Sequence, residues 1–340
     1  MQEPDSTYHL GLHAGDRVVV RSRDEILSTL DQRGCLDGMP FQPEMLAFCG
    51  KTLRVAKVAH KTCDTINKTG GRRVRDAVHL EGARCDGSAH SGCQADCNLF
   101  WKEAWLRRAD AASAPRVNRS GISEAAFART TRAPGEENSA DPTWVCQTTA
   151  LFEASEPLHW WDFRQYVRDL SSGNHSLPHM LRLLAFATFR MVLGIGVGYR
   201  ALIAAYNRFQ KLRGGKPFPQ ADGKVPMGQP TPHATLDLKP GEWVRVRPIE
   251  EIRATLNTSN HNRGMWFDPE MVQYCGEPFK VQMRVDRLIH EKTGKMLVMK
   301  NPCIQLEDVY CRATCTRQRM GCPRAVNTYW RENWLQRVES

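Results

Sequence analysis

The sequence predicts an α+β protein: two repeated small β-barrel-like modules of the SH3 kind, each with a cysteine-rich metal loop and a closing helix, flank a helical middle segment. Three observations predict it. First, His79–Leu106, HLEGARCDGSAHSGCQADCNLFWKEAWL, and Gln305–Leu335, QLEDVYCRATCTRQRMGCPRAVNTYWRENWL, share one template. Each runs from Leu-Glu through a cysteine-rich loop to Trp-x3-Trp-Leu. Second, residues upstream recur at one offset. Gly15, Val18, Val20 and Arg21 match Gly241, Val244, Val246 and Arg247. Gly38, Met39, Phe41, Pro43, Glu44 and Met45 match Gly264, Met265, Phe267, Pro269, Glu270 and Met271, and Cys49-Gly50 matches Cys275-Gly276. Third, short valine-rich runs separated by Gly-marked turns read as strands, and the repeat is too long for a solenoid unit.

The elements follow in order. Residues 1–14 are polar and read as a disordered lead-in. Module 1 spans 15–108. Gly15–Arg21 alternates and is a strand; Asp24–Leu30 is a short helix with Ser22 as N-cap. Thr52–His60 and Arg72–Gly82 are strands on either side of the turn Lys68-Thr69-Gly70-Gly71. Phe100–Arg108 is a closing helix that buries Trp101, Trp105 and Leu106. A flexible linker covers 109–142, the helical middle segment 143–212, a second linker 213–236, and module 2 residues 237–340.

In the middle segment, Pro157–Leu170 reads as a helix with an aromatic face. Leu181–Leu212 is an apolar helix whose Arg182, Arg190, Arg200 and Arg208 fall within an arc of roughly 80°. No stretch of about 20 residues lacks charge, so no transmembrane helix is expected. The favoured reading is a core helix that shows its arginines to water. The alternative is peripheral contact of Leu181–Leu212 with an anionic membrane, with Trp160 and Trp161 nearby. Gly194-Ile-Gly196-Val-Gly198 sits in a helical run and follows no strand, so it reads as close helix packing rather than a dinucleotide loop.

The chemistry lies in the cysteines. The chain has twelve, and its N-terminus lacks the apolar stretch of a signal peptide. A cytoplasmic location follows as the expectation, with metal ligands ahead of disulfides. In the second copy, Cys303-x7-Cys311-x3-Cys315-x6-Cys322 predicts a tetrahedral thiolate shell. The first copy offers Cys63, His79, Cys85, Cys93 and Cys97. Cys85 aligns with Cys311 and Cys93 with Cys322. His79 takes the place of Cys303, and Cys63 or Cys97 completes the set. Zinc is the expected metal, an iron–sulfur cluster the alternative, and a redox-switched disulfide set comes third. Cys35 and Cys146 stand alone and read as buried small residues, while Cys49 and Cys275 are reserve ligands. His90 reads as a solvated loop residue. Glu44 and Glu270 read as caps of the helix that follows each proline.

HKTCDT, HLEGARCDGSAHSGC, FWKEAWL, RGMWFDPEM, KTGKMLVMK and YWRENWL resemble a family of bacterial hypothetical proteins with a tandem cysteine-rich repeat and no assigned function. The resemblance covers most of the chain, including WWDFRQYVRDL. It implies the tandem architecture and carries no activity.

No nucleotide-binding or hydrolase motif is present. The leading functional expectation is therefore a non-catalytic, metal-stapled binding or adaptor protein with a protein or anionic partner. The second is an accessory metalloenzyme or iron–sulfur redox component of a bacterial biosynthetic pathway. The third is nucleic-acid binding, encouraged by a net charge of +10 and a pI near 9.1 but lacking an aromatic and basic pattern on the strands.

Overall fold

The structure, a computed structural model, describes residues 9–110, 121–315 and 319–338. It is a mixed protein of helices and antiparallel sheets, divided into two compact units. One unit comprises the described residues through Leu181, with Arg287–Val298 and the described part of Arg317–Ala325. The other comprises Arg182–Asp286, Met299–Thr316 as far as it is described, and the described residues from Val326 onward.

In the first unit, strand β1 (Arg17–Val20) is followed by helix α1 (Arg23–Leu27). Ser22 caps that helix as expected. Its hydroxyl accepts from Glu25 N while the Glu25 carboxylate accepts from Ser22 N, so two orphan amides of the first turn are satisfied. The short strands β2 (Cys35–Leu36) and β3 (Met39–Pro40) pair with each other, and a 3-10 turn, Pro43–Phe48, leads to β4 (Thr52–Val58). Strands β5 (Lys61–Cys63), β6 (Gly71–Arg73), β7 (Ala77–Leu80), β8 (Trp101–Lys102) and β9 (Leu106–Arg108) complete this stretch. The sheet order is β8-β7-β4-β1-β9. Its inner face carries Val18, Val20, Val55 and Val78 against Ile26, Phe41, Met45, Trp101 and Trp105. Phe41 meets Trp105 edge-on at 5.1 Å, a geometry favoured by the ring quadrupoles.

Four expectations are corrected here. The closing helix does not form. Trp101 and Trp105 are buried as predicted, but they sit on β8 and a single 3-10 turn, Glu103–Trp105, and β9 then pairs with β1. The strand expected at Arg72–Gly82 is two strands, parted where Asp76 takes a left-handed φ of 43°. The described part of the lead-in is packed: Leu12 is buried, and Leu10 N and Gly11 N donate to the Glu103 carboxylate. The described part of the first linker is packed too. It contains helix α2 (Glu124–Phe127) and buries Ile122 and Phe127 in the main core, while residues 111–120 lie outside the described residues.

The middle segment is helical but differently divided. Helix α3 (Gln147–Ala150) comes first. The start of the expected Pro157–Leu170 helix is strand β10 (Glu156–Leu158), which pairs with β6, and helix α4 covers only Arg164–Ser171. The predicted long helix is two, α5 (Leu177–Gly194) and α6 (Tyr199–Leu212). Gly196 and Gly198 adopt φ of 84° and 66°, which ends the first helix in a conformation that glycine tolerates. A Cβ built on Gly194, Gly196 or Gly198 would meet nothing within 4 Å, so these glycines do not serve close packing. Among the described residues no helix is long and apolar enough to cross a membrane.

The second unit repeats many hydrogen bonds of the first at matching positions. Strand β11 (Trp243–Val246) leads into helix α7 (Ile249–Arg253), the short pair β12 (His261–Asn262) and β13 (Met265–Trp266), and long strands β14 (Pro278–Ile289) and β15 (Met296–Leu306), of which Arg287–Ile289 and Met296–Val298 belong to the first unit. With β16 (Leu335–Arg337) the order is β15-β14-β11-β16. Arg21 Nε donates to Leu106 O at 3.1 Å, and Arg247 Nε to Leu335 O at 3.2 Å. Trp105 Nε1 donates to Thr29 Oγ1, and Trp334 Nε1 to Thr255 Oγ1. Glu103 and Glu332 each accept two backbone amides from the segment that precedes the first strand. The second linker is also packed, since Phe218 and Ala221 are buried.

Candidate functional site

The first cysteine loop leaves β7 and is closed at its base by a bridge between Arg84 and Asn98, where Cys85 N donates to Cys97 O at 2.9 Å. It folds back tightly on itself. Gly87 has a φ of 69°, and a Cβ there would lie 2.0 Å from Cys93 O. His90 N donates to Gly87 O, and Cys93 N to His90 O.

Glu44, from the 3-10 turn after Pro43, reaches into this loop. Its Oε1 accepts from Ala89 N at 3.1 Å and from His90 Nδ1 at 2.6 Å. His90 Nε2 donates to Val145 O at 3.0 Å. Both ring nitrogens are therefore engaged, and the contact is a buried, hydrogen-bonded pair. Burial alone would raise the Glu44 carboxyl. The His90 hydrogen bond and charge, with the backbone amides, outweigh it and hold the group below its ordinary range. The expectations for these residues are corrected: His90 is 1% exposed and not solvated, and Glu44 caps a distant loop rather than its own helix.

Cys85 lies beside the pair. Burial, then the Glu44 charge, push its thiol well up, and Gln42 Nε2 donates to its sulfur at 3.4 Å. Among the described residues, Glu44, Cys85 and His90 are the group whose metal-ligating atoms lie within 4.8 Å of one another. His90 Nδ1 and Nε2 are both taken up by these hydrogen bonds, so the trio as it stands anchors the loop. No protein-family model matches the chain, and no curated protein matches it.

The second cysteine loop is built alike. Tyr310 and Asn327 form its basal bridge, and Cys311 N donates to Val326 O at 2.8 Å. Glu270 Oε1 accepts from Cys315 N at 2.5 Å, and Oε2 from Thr314 Oγ1 at 3.1 Å. Cys315 stands at the same offset from Ala89 as Glu270 does from Glu44. Burial, then Glu270, push the Cys315 thiol up to about 12.

The four cysteines expected to close one shell in the second copy are divided between the units. Cys303 Sγ lies 3.5 Å from Met299 Sδ on β15, an apolar strand position where burial raises its thiol to about 12. Cys311 and Cys315 stay in the second unit. Cys322 belongs to the first unit, where its sulfur meets that of Cys63; this contact and then burial hold the Cys63 thiol well above its ordinary value. Sequence spacing treats each loop as closed on itself and has no means of seeing this exchange.

Around Arg324, also in the first unit, several sequence-predicted ligands gather. Arg324 donates to Thr65 Oγ1 and Glu291 Oε1, both at 2.8 Å. Burial would weaken its charge, but Glu291, Cys63, Cys97 and Cys322 together favour the charged form. Cys97 is half-buried, and burial and then Glu291 raise its thiol. Cys93 Sγ accepts from Ile289 N at 3.3 Å. His79 has no solvent exposure. Its Nδ1 donates to Leu99 O at 2.9 Å, its ring packs on Phe100, and its Nε2 has no hydrogen-bond partner. Burial depresses this imidazole to about 4, so the ring is neutral and Nε2 carries a lone pair.

One further cluster was not legible in the sequence. Lys61 Nζ lies 2.5 Å from the buried Asp169 carboxylate and donates to Met320 O, and His60 Nε2 donates to Gln165 O. Its members are brought together from distant segments, and neither spacing nor composition marks them.

Proposed function

We propose that the chain is a non-catalytic binding protein in which two copies of one small SH3-like β module are joined by a helical segment, with zinc held by cysteines of the first unit. The observation that carries the metal is His79. An imidazole fixed by Nδ1–H on a backbone carbonyl, with Nε2 buried and unpartnered, has the second-shell arrangement of a metal-ligating histidine. Leaving that nitrogen bare would otherwise cost about 1–3 kcal/mol. Cys63, Cys97 and Cys322, the thiols around Arg324, are the ligands this reading assigns beside His79, and metal binding would have to draw these four ligand atoms closer together. Three thiolates and Zn2+ carry one net negative charge, which the buried Arg324 would offset. The non-catalytic reading is supported by Glu44 and Glu270. These carboxylates, the recurring candidates for acid–base work, are each spent on backbone amides of a loop.

Elemental analysis of the full chain, purified without oxygen, tests the proposal. The expected result is stoichiometric zinc, no visible absorption, loss of the metal in His79→Ala, and retention in His90→Ala. Absence of metal would sink the zinc assignment, and iron with sulfide would replace it by a redox reading. Loss from His90→Ala alone would move the site to Glu44 and Cys85.

A further inference from the structure

We infer that the helical hairpin α5–α6 is a docking surface for an anionic lipid bilayer. The hairpin has a filled inside. Phe186, Phe189, Tyr206 and Phe218 meet in a cluster of rings with centroids 5.4–6.2 Å apart. Arg190 is used internally too, donating to Cys315 O at 3.0 Å and lying over the Phe218 ring.

The outside is apolar and, among the described residues, exposed. On α5, Leu184, Met191 and Val192 are exposed, at spacings that form one stripe opposite the buried Leu183 and Leu193. The stripe runs into the connecting turn, where Ile195 is 73% and Val197 79% exposed. Helix α6 buries no residue, and it ends at Leu212, 81% exposed. The core reading of this segment holds for one face of α5, where Met180, Leu183 and Leu193 are buried, and not for α6.

The charge pattern selects the occupant. From Leu170 to Ala221 the chain has no Asp or Glu, yet it has seven Arg and Lys. Arg200, Arg208 and Lys211 point from the exposed side of α6, and among the described residues they have no ion pair. A partner protein would have to meet this surface with a matching acidic patch. An acidic headgroup layer over hydrocarbon offers both halves of the complement at once: phosphates for the arginines, and an apolar boundary for Ile195, Val197 and Leu212. Neither helix is long and apolar enough to cross, so the hairpin would lie at the interface.

Flotation of the full chain with phosphatidylcholine vesicles, with and without phosphatidylserine, tests this. Binding is expected only with phosphatidylserine, and it should weaken as salt rises. Arg200→Glu/Arg208→Glu should weaken it about thirty-fold or more, and Ile195→Ser/Val197→Ser should weaken it at unchanged salt dependence. All four residues are exposed, and the salt series on the unaltered chain needs no variant to fold. No binding to acidic vesicles, or equal binding to both kinds, would overturn the inference. So would vesicle-independent self-association abolished by the same substitutions, which would make a second copy of the chain the occupant. The outcome is independent of whether zinc is present.

Discussion

At Glu44 a single carboxylate joins two segments that sequence distance keeps apart. It is buried, bound to His90 and Ala89, and its removal would leave a ring nitrogen and a backbone amide without partners in a site without solvent. Leaving a buried hydrogen-bonding group unpaired costs about 1–3 kcal/mol. Glu44→Ala should therefore lower the urea midpoint by an amount of that order, and the Glu44→Ala/His90→Phe double variant should recover part of it. A Glu44→Ala midpoint like that of the unaltered chain would remove the anchoring role. At this scale the sequence marked Glu44 and Glu270 as equivalent but assigned them to the nearest helix. The partner loop lies some 45 residues on, beyond the reach of local capping rules.

Elements were legible where they depend on local chemistry. Ser22 and Glu25 form the capping box that four residues spell out, and Arg17–Val20 and Thr52–Val58 are strands because alternation and β-branching favour them. They were illegible where tertiary pairing decides. The four-residue spacing of Trp101 and Trp105 imitates a helical period, yet β1 recruits Leu106–Arg108 as its edge partner. The glycines at 196 and 198 were visible, but their left-handed φ was not, and with it the break that turns one helix into a hairpin. The first cysteine loop gives a test of its own. Gly87→Ala would place a methyl group 2.0 Å from Cys93 O at a positive φ, whereas Gly82→Ala at a similar φ meets open space. Thermal melting should show the first variant destabilised by about 2 kcal/mol more than the second; equal shifts would mean that the loop yields without cost.

Across the whole molecule, burial sets the response to acid. His60 is held down to about 3 by burial and then by Lys61, and His175 to about 4, chiefly by burial. Both are neutral in the native state, whereas in the unfolded chain they take up protons near their ordinary value of 6.5. Below that value the unfolded state binds more protons, so stability falls as pH drops from about 6.5 towards 4, by roughly 1 kcal/mol per pH unit for each histidine. Asp169, whose carboxyl is raised by burial, offsets part of this at the acid end. Urea midpoints over this range should fall steadily in the unaltered chain and less in His60→Asn; a flat profile would contradict the buried assignment. Domain boundaries drawn from composition failed at this scale because the linkers contain Ile122, Phe127 and Phe218, isolated apolar residues too sparse to show a period yet sufficient to join a core.

The basal bridges of the two cysteine loops carry one more consequence. Arg84 with Asn98 and Tyr310 with Asn327 close equivalent frames, but the first encloses thirteen residues, Cys85 to Cys97, and the second sixteen, Cys311 to Val326. The two loops differ by three residues, and the tryptophan-bearing segment beyond each still pairs with a strand. A frame closed at its base accommodates a loop of either length. A foreign peptide grafted between the bridge residues, clear of Ala89 and His90, should leave the register of the surrounding strands unchanged.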